Sequence, residues 1–433
     1  MDGLPRFSSC GFPRRLARAG GVAGLVLLAA ATAAAQPGAG GFTLREAIAR
    51  AREESPARRA AMARVEAADL SRGLAGRYPN PLAEIRVKNW APGLHDRLPY
   101  DTFATVTQTV ELGGKRAARQ GVAAAGAQGA RAALWSAERE LEAEVARRYL
   151  TALRDRERER TLADHAAGLV ELVRILERRV AEGVAAEADL EKLRTERVRV
   201  DTDAVLARIQ GTRELAVLAA LVGWSPAPPL DALEAPVLAL PAGATAADAG
   251  ALAALVNAGL DRRADVRGAV SRLESSQQTL RFERSRRVPD LLVVGGLKRT
   301  SGYDTAVASV LMPVPLFDRN QPALALARGG VAAAELELAQ TRRLAEGQIR
   351  AALQTAGELD RRSRDAADQL IAPAAIVRSA ARAAFQSGAG DLLRLVDAER
   401  VYADARMAVT TLQIDALQAA LDARLALAED LVP

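Results

Sequence analysis

The sequence predicts a mainly α-helical chain with a small β component, arranged as a duplicated helix–strand–strand–helix–helix unit. Three observations lead to this fold class. Long segments rich in Ala, Leu, Arg and Glu have helical spacing, and aromatic residues make up only 3% of the chain, which is typical of long helices packed side by side. Two pairs of segments alternate with the period of β-strands. The whole pattern recurs after about 205 positions, which indicates an internal repeat.

Residues 1–35 predict a cleaved secretory signal peptide. Three arginines between positions 14 and 18 precede an apolar run over 20–31, and the alanines at 33–35 supply a small-residue cleavage site. The apolar run is shorter than the roughly 20 residues that a membrane-spanning helix needs. Cys10 lies before this run and is the one cysteine of the sequence. We therefore expect no lipid anchor, disulfide or thiolate metal site in the mature chain.

The first repeat is predicted over residues 36–223. Thr43 and Glu46 have the spacing of a capping box and begin a helix that is expected to reach Leu74. Two strands and a long helical hairpin are expected to follow, over about 82–87, 103–110 and 115–222. In the hairpin, leucines recur every seven residues, which indicates a coiled-coil seam, at Leu162, Leu169 and Leu176.

A proline-rich linker is predicted over 224–250, because it contains five prolines and several small residues. The second repeat, 251–433, has the same order of elements as the first. Its strands and helical hairpin are expected over about 291–298, 305–314 and 319–430.

Two residues are predicted to interrupt the long helices at equivalent places in the repeats. Gly168 and Pro373 each lie 15 positions before the glycine that reverses the hairpin. Glycine and proline are common causes of helix kinks. We therefore interpret both as helix breakers at which the helices bend inward.

Composition and motifs exclude several classes of function. The formal charge is +6, and it falls to +3 without residues 1–35, so nucleic acid is not an expected partner. The sequence lacks the G-x-x-x-x-G-K-[ST] string of nucleotide-binding loops. The two histidines, His95 and His165, are far apart in the sequence. We expect no enzyme activity, no cofactor and no resident metal site.

The predicted strands of one chain are too few to form a closed barrel. Four strands cannot enclose a lumen, whereas three copies would supply twelve. After the signal peptide, the sequence contains no uncharged stretch of 18 apolar residues. A membrane location would therefore require a closed barrel, because backbone groups cannot remain unpaired in hydrocarbon.

Three strings of the sequence resemble the TolC family of outer-membrane efflux proteins, over about residues 42–430. They are Gln-Thr-Val-Glu-Leu-Gly-Gly-Lys-Arg at 108–116, Pro-Val-Pro-Leu-Phe-Asp-Arg-Asn-Gln at 313–321, and Gly-Ala-Gly-Asp-Leu-Leu-Arg-Leu-Val-Asp-Ala-Glu-Arg at 388–400. The second string is similar to the CzcC-type components of heavy-metal RND efflux pumps.

The resemblance implies a homotrimer with a twelve-stranded barrel in outer-membrane lipid and an α-helical tunnel in the periplasm. It also implies docking to a periplasmic adaptor (membrane fusion) protein and to an inner-membrane RND-type pump. The expected function is passive conduction of substrate from periplasm to exterior, with heavy-metal cations as the favoured cargo. The alternatives are an exit duct for type I secretion or drug efflux, and a periplasmic coiled-coil scaffold without a pore.

The resemblance also assigns a candidate periplasmic gate. Asp189 and Asp397 match positions that form acidic rings at the constriction in the family, and Asp391 lies beside them. The second acidic position of the family is Arg394 here. This departure leaves open a lock between Asp397 and Arg394 of different subunits, and ordinary solvated charges are the alternative to any gate.

The hairpin tips are the candidate docking sites for the adaptor. Gly183 and Val184 lie at the first tip, and Gly388 and Ala389 at the second. A glycine at each tip allows the chain to reverse. Any helical hairpin needs such a residue, so the glycines are also explained without a partner.

Overall fold

The structure is a computed structural model and describes residues 42–89, 100–241, 249–300 and 302–431. The predicted signal peptide, His95 and part of the predicted linker lie outside these residues. The helices are α1 (Leu44–Glu54), α2 (Pro56–Leu74), α3 (Lys115–Ala181), α4 (Glu187–Val222), α5 (Ala249–Arg262), α6 (Ala264–Ser285), α7 (Gln321–Ala366), α8 (Ala372–Gln386) and α9 (Leu392–Ala426). The strands are β1 (Leu82–Lys88), β2 (Asp101–Val110), β3 (Leu291–Thr300) and β4 (Tyr303–Leu311). The mainly α-helical fold class is confirmed.

The helix predicted to reach Leu74 is divided in the structure. The first helix has the predicted capping box, in which Glu46 N donates to Thr43 Oγ1 over 3.2 Å. It ends at Ser55, whose hydroxyl caps α2. Pro56 fits the first turn of α2, where no backbone donor is needed. Arg263, in an extended conformation, likewise separates α5 from α6.

The four strands form one antiparallel sheet in the order β1-β2-β3-β4. The strands β1 and β4 are therefore its edges. β4 ends at Leu311 and not near residue 314 as expected. Pro313 and Pro315 follow, and neither can donate a ladder hydrogen bond.

The two faces of the sheet differ in chemistry. The cross-strand register places Ile85, Ala104, Leu297 and Ala306 in one row of one face. This face is mainly apolar, with the Arg299–Asp304 ion pair as its charged exception, and its large side chains are exposed in the protomer, including Ile85, Val106, Leu297 and Val310. The opposite face carries threonines, a serine and the charged side chains Glu84, Arg86, Lys88, Asp101 and Lys298.

The helices that adjoin the strands pack in the same order as the strands. α2 precedes β1, α3 follows β2, α6 precedes β3 and α7 follows β4. In the helical layer α2 contacts α3, α3 contacts α6 and α6 contacts α7. Sheet and helical layer are thus continuous, with β1 and α2 at one edge and β4 and α7 at the other.

Tight turns connect β2 to α3. Gly113 and Gly114 have φ values of +70° and +74°, which glycine adopts without a steric penalty. Asp290 fixes this turn to the neighbouring strand, because its carboxylate accepts from Lys115 Nζ at 2.6 Å and from Leu112 N at 3.2 Å. The equivalent turn before α7 uses Asn320 at a φ of +64°.

A buried tyrosine ties the start of the described chain to the segment after α4. Tyr149 is fully buried, and its hydroxyl lies 2.5 Å from Phe42 O, 2.6 Å from Glu234 O and 2.9 Å from Glu234 N. Burial raises the pKa of this phenol to about 12. The core around it joins α1, α3, α4 and α9.

None of the described helices combines the length and the apolar composition that a membrane crossing requires.

Candidate functional site

The two hairpin tips have the same backbone geometry. Gly183 and Gly388 have φ values of +73° and +80°. At the first tip, Gly183 N donates to Val180 O at 3.0 Å and Val184 N to Arg179 O at 2.9 Å. At the second, Gly388 N donates to Phe385 O and the next amide to Ala384 O, at 3.2 and 3.0 Å. Both are Schellman caps, which satisfy helix carbonyls with backbone donors alone.

The tip residues predicted as a docking surface are all exposed. Val184 is 70% exposed, so an apolar side chain projects from the first tip. Ala389 lies on the second tip and is also exposed. Sequence analysis missed Gly390, where a Cβ would lie 2.8 Å from Phe385 N. The second tip therefore requires glycine for space as well as for backbone conformation.

The structure brings the two tips together through a contact that the sequence did not reveal. The Arg179 guanidinium donates to Phe385 O at 2.6 Å and lies 4.3 Å from the centre of the Phe385 ring. Phe385 is 3% exposed and packs in the core of the first hairpin. Leu395 of α9 enters the same core and is fully buried. The first and second hairpins are thus joined just behind their tips.

The predicted gate residues occupy the beginnings of α4 and α9. Asp189 lies in the first turn of α4, with its carboxylate 3.8 Å from Lys192 Nζ. Asp391 is the N-cap of α9 and accepts from Leu393 N at 3.4 Å, which gives it a structural role. Arg394 and Asp397 are exposed on the first turns of α9. All four side chains are therefore available to groups outside the protomer core.

Gly168 does not break the helix, contrary to the prediction. α3 continues without interruption from Lys115 to Ala181, since one glycine in a packed helix costs only about 1 kcal/mol. A Cβ at Gly168 would lie 3.3 Å from the guanidinium of Arg382 and 3.8 Å from the carboxylate of Glu399. These two groups form an ion pair, and the Glu399 side chain is only 4% exposed. Gly168 makes room for this pair between the hairpins.

Pro373 lies directly after an irregular turn. Residues Ala367–Ile371 form a π-helical turn, and α8 begins at Ala372. Proline cannot donate the hydrogen bond that an α-helix would require at this position, and a π turn is one way of accommodating the loss. The proposed role of Pro373 as a bending point in gating stays a prediction.

His165 faces the same junction as Gly168 and is half-buried. Burial holds the pKa of its imidazole below the usual value, although the carboxylates of Glu399 and Glu196 act in the opposite direction. Among the described residues, no group of three or more His, Cys, Asp or Glu side chains could hold a metal ion. The imidazole lies beside these carboxylates in the junction between the hairpins.

Comparisons with known proteins agree with this architecture. Residues 255–429 match the family described as Outer membrane efflux protein. The cobalt-zinc-cadmium resistance protein CzcC of Cupriavidus metallidurans is 29% identical over 303 residues, which are 69% of this chain and 70% of CzcC.

Solved structures of outer-membrane proteins share the fold. CusC matches with a TM-score of 0.74 at 18% identity, over 89% of this chain and 92% of CusC. VceC of Vibrio cholerae matches with a TM-score of 0.73 at 20% identity, over 90% of this chain and 96% of VceC. The family consists of channels and not of enzymes. The chain is therefore similar to the outer membrane efflux proteins, in sequence over residues 255–429 and in fold over most of its length, and this similarity supports an outer-membrane exit channel with a periplasmic extension.

Proposed function

We propose that three copies of this chain form the exit duct of a tripartite efflux system. The observation that carries the proposal is the four-stranded sheet with two unpaired edges and one apolar face. Pairing of β4 with β1 of the next copy would supply the twelve strands of a lipid-spanning barrel. The same step would place α7 beside α2 of that copy and close the helical layer into a tunnel.

The tips are proposed to dock a periplasmic adaptor, and the adaptor to couple the duct to an inner-membrane RND-type pump. Val184 and the exposed second tip supply the contact surface. The duct itself is passive and carries out no catalysis, so the free energy for export comes from the pump.

Heavy-metal cations are the proposed cargo. The support is the 29% identity with CzcC, which is named for resistance to cobalt, zinc and cadmium. A channel wall need not select the cargo, because the pump does so upstream. The inference therefore concerns which pump the duct serves.

The proposed cargo predicts a metal-sensitive deletion strain. We expect removal of the gene to lower the highest tolerated concentrations of cobalt, zinc and cadmium salts severalfold, and the full-length chain to restore them. Growth on plates with graded metal concentrations measures this effect. The matched comparison uses lipophilic drugs on the same strains. If the deletion strain became sensitive to drugs but kept its metal tolerance, we would conclude that the duct serves a drug-efflux pump.

Asp397 and Asp189 are proposed to form carboxylate rings at the periplasmic end of the tunnel, and Arg394 to pair with Asp397 of another subunit. The exposure of Asp397 and Arg394 near the second tip supports this assignment. A ring of carboxylates in a narrow pore favours the passage of cations.

Neutralising Asp397 tests the gate. We expect Asp397→Asn to lower the potassium-to-chloride permeability ratio about twofold, because the ring loses one negative charge per subunit. Reversal potentials across planar bilayers under a salt gradient measure the ratio. Asp415→Asn is the control, since Asp415 is an exposed aspartate farther along α9. An unchanged ratio in Asp397→Asn would remove Asp397 from the gate.

A further inference from the structure

We propose that the outer end of the channel carries a fixed cationic ring, built from Arg86, Lys88 and Lys298 around Phe103, which favours anions over cations. This inference rests on the proposed function, because it requires the polar face of the sheet to line a lumen. It assigns an ion preference to the exit, separately from the carboxylates proposed at the periplasmic end.

The residues lie together at one end of the sheet. Cross-strand register places Arg86 opposite Phe103 and Phe103 opposite Lys298. In the next row, Lys88 lies opposite Asp101. β1 and β3 end at this row and β2 and β4 begin there, while the long helices adjoin the other end of the strands. Since the helices extend into the periplasm, this end of the sheet faces the exterior.

The chemistry of the two faces of the sheet indicates that these residues line the lumen. Side chains directly opposite each other across antiparallel strands share a face. The face that contains Phe103 and Lys298 is the polar one, and the other face presents exposed apolar side chains such as Ile85 and Val310. In a barrel within lipid, the apolar face is outward and the polar face lines the lumen.

The aromatic ring holds two ammonium groups from different strands. Lys88 Nζ lies 5.4 Å and Lys298 Nζ 5.5 Å from the centre of the Phe103 ring. Both distances are within the range of a cation–π interaction. Lys298 Nζ also lies 3.0 Å from a carboxylate oxygen of Asp101, which accepts from the Thr300 hydroxyl at 2.5 Å. The cations are thus fixed in place by the wall of the sheet.

The polar face has an excess of positive charge only in its outer part. Its charged side chains are three cations and two carboxylates, a net charge of +1 per chain and +3 for three copies. They are Arg86, Lys88 and Lys298 against Glu84 and Asp101. The strand residues of this face nearer the helices are threonine, serine and apolar residues. Fixed charge at a water-filled constriction raises the local concentration of the opposite ion.

Two adjacent residues of β3 give a matched pair of variants. Lys298 lies on the polar face and pairs with Asp101, whereas Arg299 lies on the apolar face and pairs with Asp304 at 2.8 Å. Lys298→Gln and Arg299→Gln each remove one positive charge and leave one aspartate without its cationic partner. They differ in the face of the sheet from which the charge is lost. Lys88→Gln is a third variant that removes a cation–π contact and a charge from the polar face.

The test is the potassium-to-chloride permeability ratio of the full-length mature channel in planar bilayers under a potassium chloride gradient. We expect Lys298→Gln and Lys88→Gln each to raise the ratio about 1.5-fold and the double variant about twofold, while Arg299→Gln leaves it unchanged. Lys88→Gln retains the Lys298–Asp101 pair and so remains informative if Lys298→Gln fails to assemble.

The outcomes separate this inference from the proposed function. A wild-type protein that forms no channel would overturn the proposed function. Normal conductance with an unchanged ratio in both Lys88→Gln and the double variant would overturn the cationic ring alone. If Lys298→Gln and Arg299→Gln changed the permeability ratio equally, the effect of a charge would not depend on the face of the sheet that carries it. That result would also overturn the cationic ring.

Discussion

A Gly113→Ala variant is expected to lose about 2–4 kcal/mol of stability and most of its assembled channel. Gly113 has a φ of +70°, and a Cβ there would lie 2.9 Å from Ser285 O and 2.7 Å from Val288 Cβ. The first atom is backbone, so the added methyl can be accommodated only by displacing the turn between β2 and α3. That displacement would separate Leu112 and Lys115 from Asp290, which fixes the turn to β3. Chemical unfolding midpoints and the yield of trimer in detergent measure the effect.

Gly114→Ala is the matched control for this variant. Gly114 has nearly the same φ, +74°, but a Cβ there would meet no atom within 4 Å. We expect only the backbone strain of an L-residue with positive φ, about 1 kcal/mol. Equal losses in the two variants would show that the packing against Ser285 and Val288 is unimportant.

A Phe385→Ala variant is expected to separate the hairpins behind their tips and to leave the channel open more of the time. Phe385 is 3% exposed, and removal of a buried phenylalanine costs about 3–5 kcal/mol. The packing is lost where α8 contacts the first hairpin. At this place the Arg179 guanidinium lies over the Phe385 ring and donates to the Phe385 carbonyl. Single-channel recordings measure the open probability, and thermal unfolding measures the stability.

Phe385→Leu separates gating from packing. Leucine fills most of the cavity but removes the cation–π contact with Arg179, so we expect a stability loss of about 1–1.5 kcal/mol and an intermediate open probability. If Phe385→Ala gates like the wild type, the contact between the tips is structural and does not control opening.

Periodicity was sufficient to predict the parts of the fold that local sequence controls. The heptad leucines Leu162, Leu169 and Leu176 are all buried in the seam of the first hairpin. The alternating segment over 103–110 lies within β2, where Ala104, Val106 and Val110 share one face of the sheet. The duplication also predicted two tips at matching places, and both have the same cap.

Predictions from the sequence were wrong or missing where a residue contacts a distant part of the chain. Gly168 has the local character of a kink, but its role depends on Arg382 and Glu399, more than 200 positions away. The contact between Arg179 and Phe385 joins residues separated by 206 positions, and neither has a distinctive motif around it. The acidic gate depends on groups of other subunits, so it stays a prediction.

The backbone-only caps at the tips have an evolutionary consequence. Because main-chain donors alone complete the reversal at Gly183 and Gly388, outward-pointing residues such as Val184 and Ala389 contribute little to folding. Mutations there would be tolerated by the fold, and relatives that serve other pumps are free to diverge at these positions. Exchange of the short loops between two such relatives should accordingly exchange their preferred assemblies while leaving both ducts intact.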